Sequence, residues 1–427
     1  MGVRSDSFRV LLTRSFLIVI AFLTQAVLAR ALGVDMRGSF AVCWSFFNIL
    51  LMLSSFGVEA ANIYYLATSK YSISQVLGAS TWISICSEIV ACFLGAFFIS
   101  LPFAFFQKAS EEHFTLAIIV VGLFVLSIYM ISILRGSMRY DAMNSMNLLG
   151  SLAVLISTSA LCFGLNLKVT GALIGASSGP LAIIVGTVLI LRKDLRRNEI
   201  FVAFRLIPDI LHYGGRAYLG YFAQTMNLQI GTFILAFLLP TSEVGFYAIA
   251  VSIISKLWII PDSLCVVLMP KLAQKKGAEA DLTCLGLRII LPAVSIAAIG
   301  LVFLSQPAII YVFGKNFAPT LIAINILIVG AVFRSASKIT TSYFLGINRP
   351  GINSIIKFFC IGLNIILPIM LVPYYGLVGG ASATAASYVL ESLIMLYFFF
   401  KISKISTWKL LIPRRADFGS LKDILLH

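Results

Sequence analysis

Charge is scarce in this 427-residue chain: 11% of its residues are Asp, Glu, Lys or Arg, where a water-facing surface would need roughly a quarter. Acidic residues are scarcer still, 17 against 32 Lys and Arg, and there are three His. None of the seven cysteines forms a CxxC pair, which with so few His excludes a zinc or iron–sulfur centre. GxxxxGK[ST] is absent, so no P-loop nucleotide site is expected, and the residues call for no cofactor. The 31 Gly follow no period, which removes collagen, and 60% hydrophobic content removes disorder. What is abundant is apolar side chain, at a mean hydropathy of +1.00. A soluble fold has no place to hide that much of it. The chain reads as a polytopic membrane protein.

Apolar runs long enough for a helical crossing of about 20 residues fall at 10–29, 39–66, 77–105, 114–134, 146–165, 170–191, 214–239, 244–268, 286–305, 319–343, 353–372 and 378–400. They predict an all-α fold of about twelve transmembrane helices. Arg4 and Arg9 precede the first run, which lacks a small-residue cleavage site and so reads as a retained helix, not a signal peptide. Connections are short and leave no room for an extramembrane catalytic domain. With the N-terminus in the cytoplasm, 20 Lys and Arg fall on the cytoplasmic side. Five (Arg30, Arg37, Lys108, Lys168 and Lys315) fall in the opposite loops, and seven lie within spans. That asymmetry places both termini in the cytoplasm. It also makes the basic excess a matter of membrane topology, so no nucleic-acid partner is expected.

The chain repeats itself at about half its length. LGVDMRGSFAV (Leu32–Val42) aligns with LPTSEVGFYAI (Leu239–Ile249), GALIGASSG (Gly171–Gly179) with GLVGGASAT (Gly376–Thr384), and LRGSMRYDAMNS (Leu134–Ser145) with LGINRPGINS (Leu345–Ser354). The offsets join span 1 to span 7 and spans 5 and 6 to spans 11 and 12. Because six spans separate the copies, they should insert the same way up, as parallel repeats do in secondary transporters that carry cargo between two halves. The expected organisation is a six-helix lobe over 1–191, a basic cytoplasmic linker over 192–212, a second six-helix lobe over 213–402 and a cytoplasmic tail over 403–427, with a central cavity between the lobes. The expectation is a transporter and not an enzyme.

Ionisable residues inside spans are costly and usually face a cavity or a partner. Arg14 lies in span 1 with Gln25 on the same helical face, and Arg216 shares a stripe with Gly220, Ala223 and Asn227 in span 7. Lys256 stands with Ser252 and Ser263 in span 8, and Arg334 and Lys338 are one turn apart in span 10. These five form the candidate cationic lumen. Arg14 and Arg216 are near cytoplasmic ends, where a long side chain can also snorkel. Arg288 and Lys357 sit nearer still to span ends, and snorkelling is the expectation for both. Glu59, Glu88 and Glu391 are the acidic counterparts and the candidates for ion coupling; they could equally neutralise cations or cap helices. Spans hold more cations than carboxylates, which suits an anion such as phosphate or pyrophosphate. A cation-coupled drug pump would lean on buried Asp or Glu.

LARALGVDMRGSFAV after span 1, FGVEAANIYYLA (Phe56–Ala67), SEVGFYAIA (Ser242–Ala250), LMPKLA (Leu268–Ala273) and IYVFGKNFAPT (Ile310–Thr320) together resemble the Wzx-type O-antigen and oligosaccharide flippases. These belong to the polysaccharide transport family, within the multidrug/oligosaccharidyl-lipid/polysaccharide exporter superfamily. The resemblance implies a bacterial inner-membrane protein that flips undecaprenyl-pyrophosphate-linked oligosaccharide units from the cytoplasmic to the periplasmic leaflet by alternating access. It would serve O-antigen, lipopolysaccharide or capsule assembly, with a polysaccharide polymerase and chain-length regulator as further partners. The family's lumen arginines match Arg14, Arg216, Lys256 and Arg334 by region. Two rivals remain: a drug/cation antiporter of the same superfamily, marked by an acidic lumen, and an O-antigen polymerase or ligase, marked by a long periplasmic loop. Here the outer loops are short, and His113 in QKASEEH is the only external histidine.

Overall fold

The computed structural model describes residues 3–196, 199, 203–265, 279–347 and 349–405, and for 3–15 and much of 216–228 the backbone alone. LMPKLA, parts of the linker and most of the expected tail lie outside the described residues. Those described are helical, with no strand. The helices are α1 (Val3–Ser54), α2 (Val58–Ala67), α3 (Ile73–Ser100), α4 (Glu111–Ile119), α5 (Val121–Gly136), α6 (Tyr140–Ser159), α7 (Lys168–Leu191) and α8 (Ile207–Leu238). They continue as α9 (Thr241–Ile254), α10 (Glu279–Pro307), α11 (Thr320–Gly346) and α12 (Pro350–Ser403). Nine stretches among the described residues are long and apolar enough to cross a bilayer. Their large apolar side chains also point outward: Phe93 is 72% exposed and Phe303 75%. Water would oppose such a surface and lipid would not.

The two longest helices are hairpins. A straight helix of 54 residues, the length of α12, would run about 80 Å at 1.5 Å per residue, well over twice the roughly 30 Å hydrocarbon core. Instead α12 turns back at Gly376, whose φ of 50° is left-handed. Lys357 and Glu391, 34 positions apart, consequently stand 3.6 Å from each other. In α1 the turn is at Gly33, with φ 69° and ψ −175°. There Arg37 Nη2 donates to Gln25 Oε1 over 2.6 Å, across twelve positions that a straight helix would hold about 18 Å apart. Each hairpin therefore fills the place of two expected crossings. One break recurs between the repeats: Gly33 aligns with Pro240, where α8 ends and α9 begins.

Two compact units divide inside α8, as Met1–Gln229 and Ile230–His427. In the first unit the buried Asn62 amide donates to Ser80 Oγ (2.9 Å) and Ser132 Oγ (3.0 Å), tying α2, α3 and α5 together. An apolar cluster of Leu66, Val76, Leu77, Met130, Ile133, Leu134 and Leu191 packs beside it. The linker is strapped to this unit: Arg139 pairs with Asp194 at 2.9 Å, and Ser74 Oγ donates to the Asp194 carbonyl. The start of α8 is strapped too. Tyr71 donates to Asp209 over 2.5 Å, Lys70 lies 3.5 Å from the same carboxylate, and Tyr64 stacks on Tyr213 at 4.5 Å. The Tyr71 hydrogen bond holds Asp209 below the usual carboxylate range, and Tyr71 with Asp209 holds Lys70 above the usual ammonium range.

Candidate functional site

The second unit assembles a buried polar cluster from α9, the turn that follows it, α11 and both arms of α12. α11 and the second arm of α12 run parallel in one register. A Cβ on Gly330 would lie 2.7 Å from Ala385 Cα, Arg334 meets Tyr388, and Ser337 meets Glu391. This closeness follows from Gly330 and Ala385 at one crossing, Ser337 at another, and the hairpin, which makes the second arm parallel to α11.

Arg334 occupies the centre. It is 3% exposed, with its guanidinium carbon 4.1 Å from the Tyr388 ring centroid and 5.0 Å from that of Trp258. The two rings are edge-on at 5.6 Å, and Trp258 Nε1 donates to the Ala331 carbonyl one turn before Arg334. Arg334 Nη1 is buried with no hydrogen-bond partner among the described residues. The neighbouring cations differ. Lys338 lies 2.6 Å from Asp262 Oδ1, and Lys357 pairs with Glu391. Three cations and two carboxylates leave one positive charge unneutralised among the described residues, and geometry assigns it to Arg334. Cation–π contacts stabilise it by about 1–2 kcal/mol each at best, less than the several kcal/mol lost when a charge leaves water.

Of the other expected site residues, Lys256 is exposed in the 3-10 turn Ser255–Trp258. Arg14 and Arg216 lie in α1 and α8, with side chains outside the described residues. Glu59 stands 3.9 Å from Arg135. Glu88 accepts the backbone N–H of Gly122 and the Cys92 thiol, and so caps the break between α4 and α5 from a neighbouring helix. Glu391 is 2% exposed. The structure thus brings Arg334, Lys338 and Glu391 together, and keeps Glu59 and Glu88 in the first unit.

Two expectations are corrected. Lys357 does not snorkel: it is 7% exposed and salt-bridged, because α12 folds back and brings Glu391 to it. Arg37 is not a loop residue but a helical one, 3% exposed over the Phe40 ring at 5.3 Å, with Nε unpartnered among the described residues. Sequence reading also missed Trp258, Tyr388 and Asp262. The signal for Tyr388 was present, one turn before Glu391 on the polar stripe of Thr384 and Ser387; nothing marked Trp258 or Asp262 as partners of α11.

Residues 6–275 match the family described as polysaccharide biosynthesis protein. The chain belongs to that family. Among curated relatives it is 20% identical to a putative O-antigen transporter of Shigella flexneri over 404 residues, 91% of this chain and 95% of that one. Among solved structures it is similar to the lipid II flippase MurJ in an inward closed conformation, with a TM-score of 0.73 at 16% identity, covering 97% of this chain and 91% of the other. An inward-facing multidrug resistance MATE family transporter of the MOP superfamily gives a TM-score of 0.69 at 14% identity, covering 91% and 94%. This polysaccharide biosynthesis family member therefore has the all-helical fold of those transporters, and the resemblance read from its motifs is borne out.

Proposed function

We propose that the chain is a flippase. It carries undecaprenyl-pyrophosphate-linked oligosaccharide units from the cytoplasmic to the periplasmic leaflet of the inner membrane, by alternating access, with twelve crossings and both termini in the cytoplasm. One observation supports the anionic cargo most: Arg334, buried and stacked on two rings, has no carboxylate partner among the described residues and keeps a free donor. A guanidinium presents a planar fork of donors suited to phosphate oxygens. Trp258 and Tyr388 orient that fork, and aromatic faces also suit sugar rings. Lys338 and Lys357 are held by Asp262 and Glu391, so they set the local field more than they grip cargo. Lys256, exposed, and the basic groups expected at Arg14 and Arg216 extend the anionic reading. The same charge balance disfavours a drug/cation antiporter, which needs a free carboxylate where this unit has a free guanidinium.

The test is a clean deletion in a strain with no second flippase, followed by leaflet assignment of the lipid-linked repeat units. Units trapped on the cytoplasmic leaflet, and restored by the wild-type chain but not by Arg334→Ala, are expected. Normal surface polysaccharide after deletion would sink the reading. Altered sensitivity to cationic drugs with unchanged polysaccharide would favour the antiporter.

A further inference from the structure

Glu391 lies where three helical segments meet. Its carboxylate accepts from Ser337 Oγ on α11 over 2.8 Å and stands 3.6 Å from Lys357 Nζ on the first arm of α12. The two charged groups are 2% and 7% exposed. One turn away on the same two helices, Arg334 lies on the Tyr388 ring. The pairs 334–388 and 337–391 share one register, so they form and break together. A one-residue slip of α11 would rotate its face by about 100° and separate both pairs. Diagonally across the same crossing, Ser392 Oγ donates to the Phe333 carbonyl over 2.5 Å. That bond uses a backbone acceptor and does not itself select Arg334's rotamer.

We propose that Glu391 is a positioning residue. With Ser337 and Lys357 it fixes α11 against both arms of α12, so that Arg334 is held on Tyr388 with its free donor turned to the anion. The inference rests on reading Arg334 as the cargo contact. It competes with the other role open to this carboxylate, carrying the coupling ion. A coupling carboxylate has to take up and release a proton or cation during each cycle, whereas the charge of Glu391 faces the Lys357 ammonium and its oxygen is occupied by Ser337. Ion coupling is then to be sought at Glu59 and Glu88, both partly exposed.

Four full-length proteins separate the two roles: wild type, Glu391→Gln, Lys357→Met and the double variant. Removing Glu391 alone leaves a buried ammonium unpaired, while the double variant replaces the pair by neutral groups, a change that buried pairs commonly tolerate. Binding of inorganic pyrophosphate to the purified proteins is measured beside flipping in vesicles with and without an imposed ion gradient. Positioning predicts that Glu391→Gln weakens pyrophosphate binding between about tenfold and a hundredfold, as misplacement of a binding group does. It also predicts that the double variant recovers to within about threefold and keeps the wild-type response to the gradient. Wild-type affinity in Glu391→Gln, or a double variant that binds normally but no longer responds to the gradient, overturns the proposal. If wild type itself binds no pyrophosphate, the anion reading fails, and the network is judged on thermal stability alone. Non-additive stabilities at positions 357 and 391 then keep the packing role of Glu391 and overturn its service to an anion, and additive ones overturn both.

Discussion

Arg334→Met is the sharpest perturbation of the second unit, because a cargo contact and a purely structural role predict opposite results. Methionine keeps the length and apolar stem but removes the charge and the donors. Stability loses two cation–π contacts, at 4.1 and 5.0 Å, together about 2–4 kcal/mol at best. It gains back the desolvation of a buried cation whose Nη1 has no partner among the described residues, several kcal/mol of opposite sign. The net expectation is a melting temperature unchanged or raised. Binding behaves differently. A hydrogen bond to a charged group contributes about 1.5–3 kcal/mol, so losing one weakens binding by roughly tenfold to a hundredfold at 1.36 kcal/mol per decade. The assay is calorimetric titration of the purified protein with inorganic pyrophosphate, beside thermal unfolding of the same sample. Arg334→Lys should fall between, since an ammonium keeps the charge but not the fork. A variant that unfolds at lower temperature while binding pyrophosphate as wild type does would refute the reasoning and make Arg334 a structural residue.

Three further outcomes follow from the first unit. Arg37→Met should hold or raise the melting temperature, since Arg37 Nε is unpartnered among the described residues. Gln25→Leu, which removes the acceptor 2.6 Å from its Nη2, should lower it. Gly33→Ala should cost about 1–3 kcal/mol, because its φ of 69° with ψ −175° lies where only glycine is at ease and no neighbour lies within 4 Å of an added Cβ. Denaturant unfolding in detergent measures that cost. Glu88→Gln should fold normally, as an amide oxygen can still accept the Gly122 N–H, while Glu88→Leu should lose about 1–2 kcal/mol with the cap of the α4–α5 break. Equal stability of the two variants would show that the cap is unimportant.

The membrane fold was legible because lipid imposes one simple rule, an apolar surface over backbone bonds satisfied within each helix. Runs of suitable length therefore mark helices whatever packs against them. The two hairpin turns were visible as the gaps 29–39 and 372–378, although only the fold shows that Gly33 and Gly376 make them. The break at Phe56–Gly57 inside the run 39–66 was hidden, since φ of 46° and 70° leave no trace in hydropathy. The site was legible in part. Arg334, Lys338 and Glu391 stand out because charge within an apolar run is rare. Their partners did not, because Trp258 and Tyr388 look like any membrane aromatic until helices are placed side by side. Arg37 shows the converse error: a charge beside a turn signal is assigned to water, and only packing reveals it buried.

The division of the units inside α8 bears on how the chain is made. A ribosome that has delivered α1 to α7 has completed one copy of the repeat but not one compact unit. The faces that receive Tyr213 on Tyr64 and Asp209 beside Tyr71 stay uncovered until α8 emerges. The first compact unit extends to Gln229, some way into the second copy. The nascent chain thus carries an unfinished bundle through the insertion machinery, with Asn62 already able to bind Ser80 and Ser132 but the α2 aromatics waiting. For the same reason, a truncated product ending in the linker would leave that surface open to membrane quality-control proteases. Duplication set the period of the sequence, but the order of biogenesis is set by the helix that joins its copies.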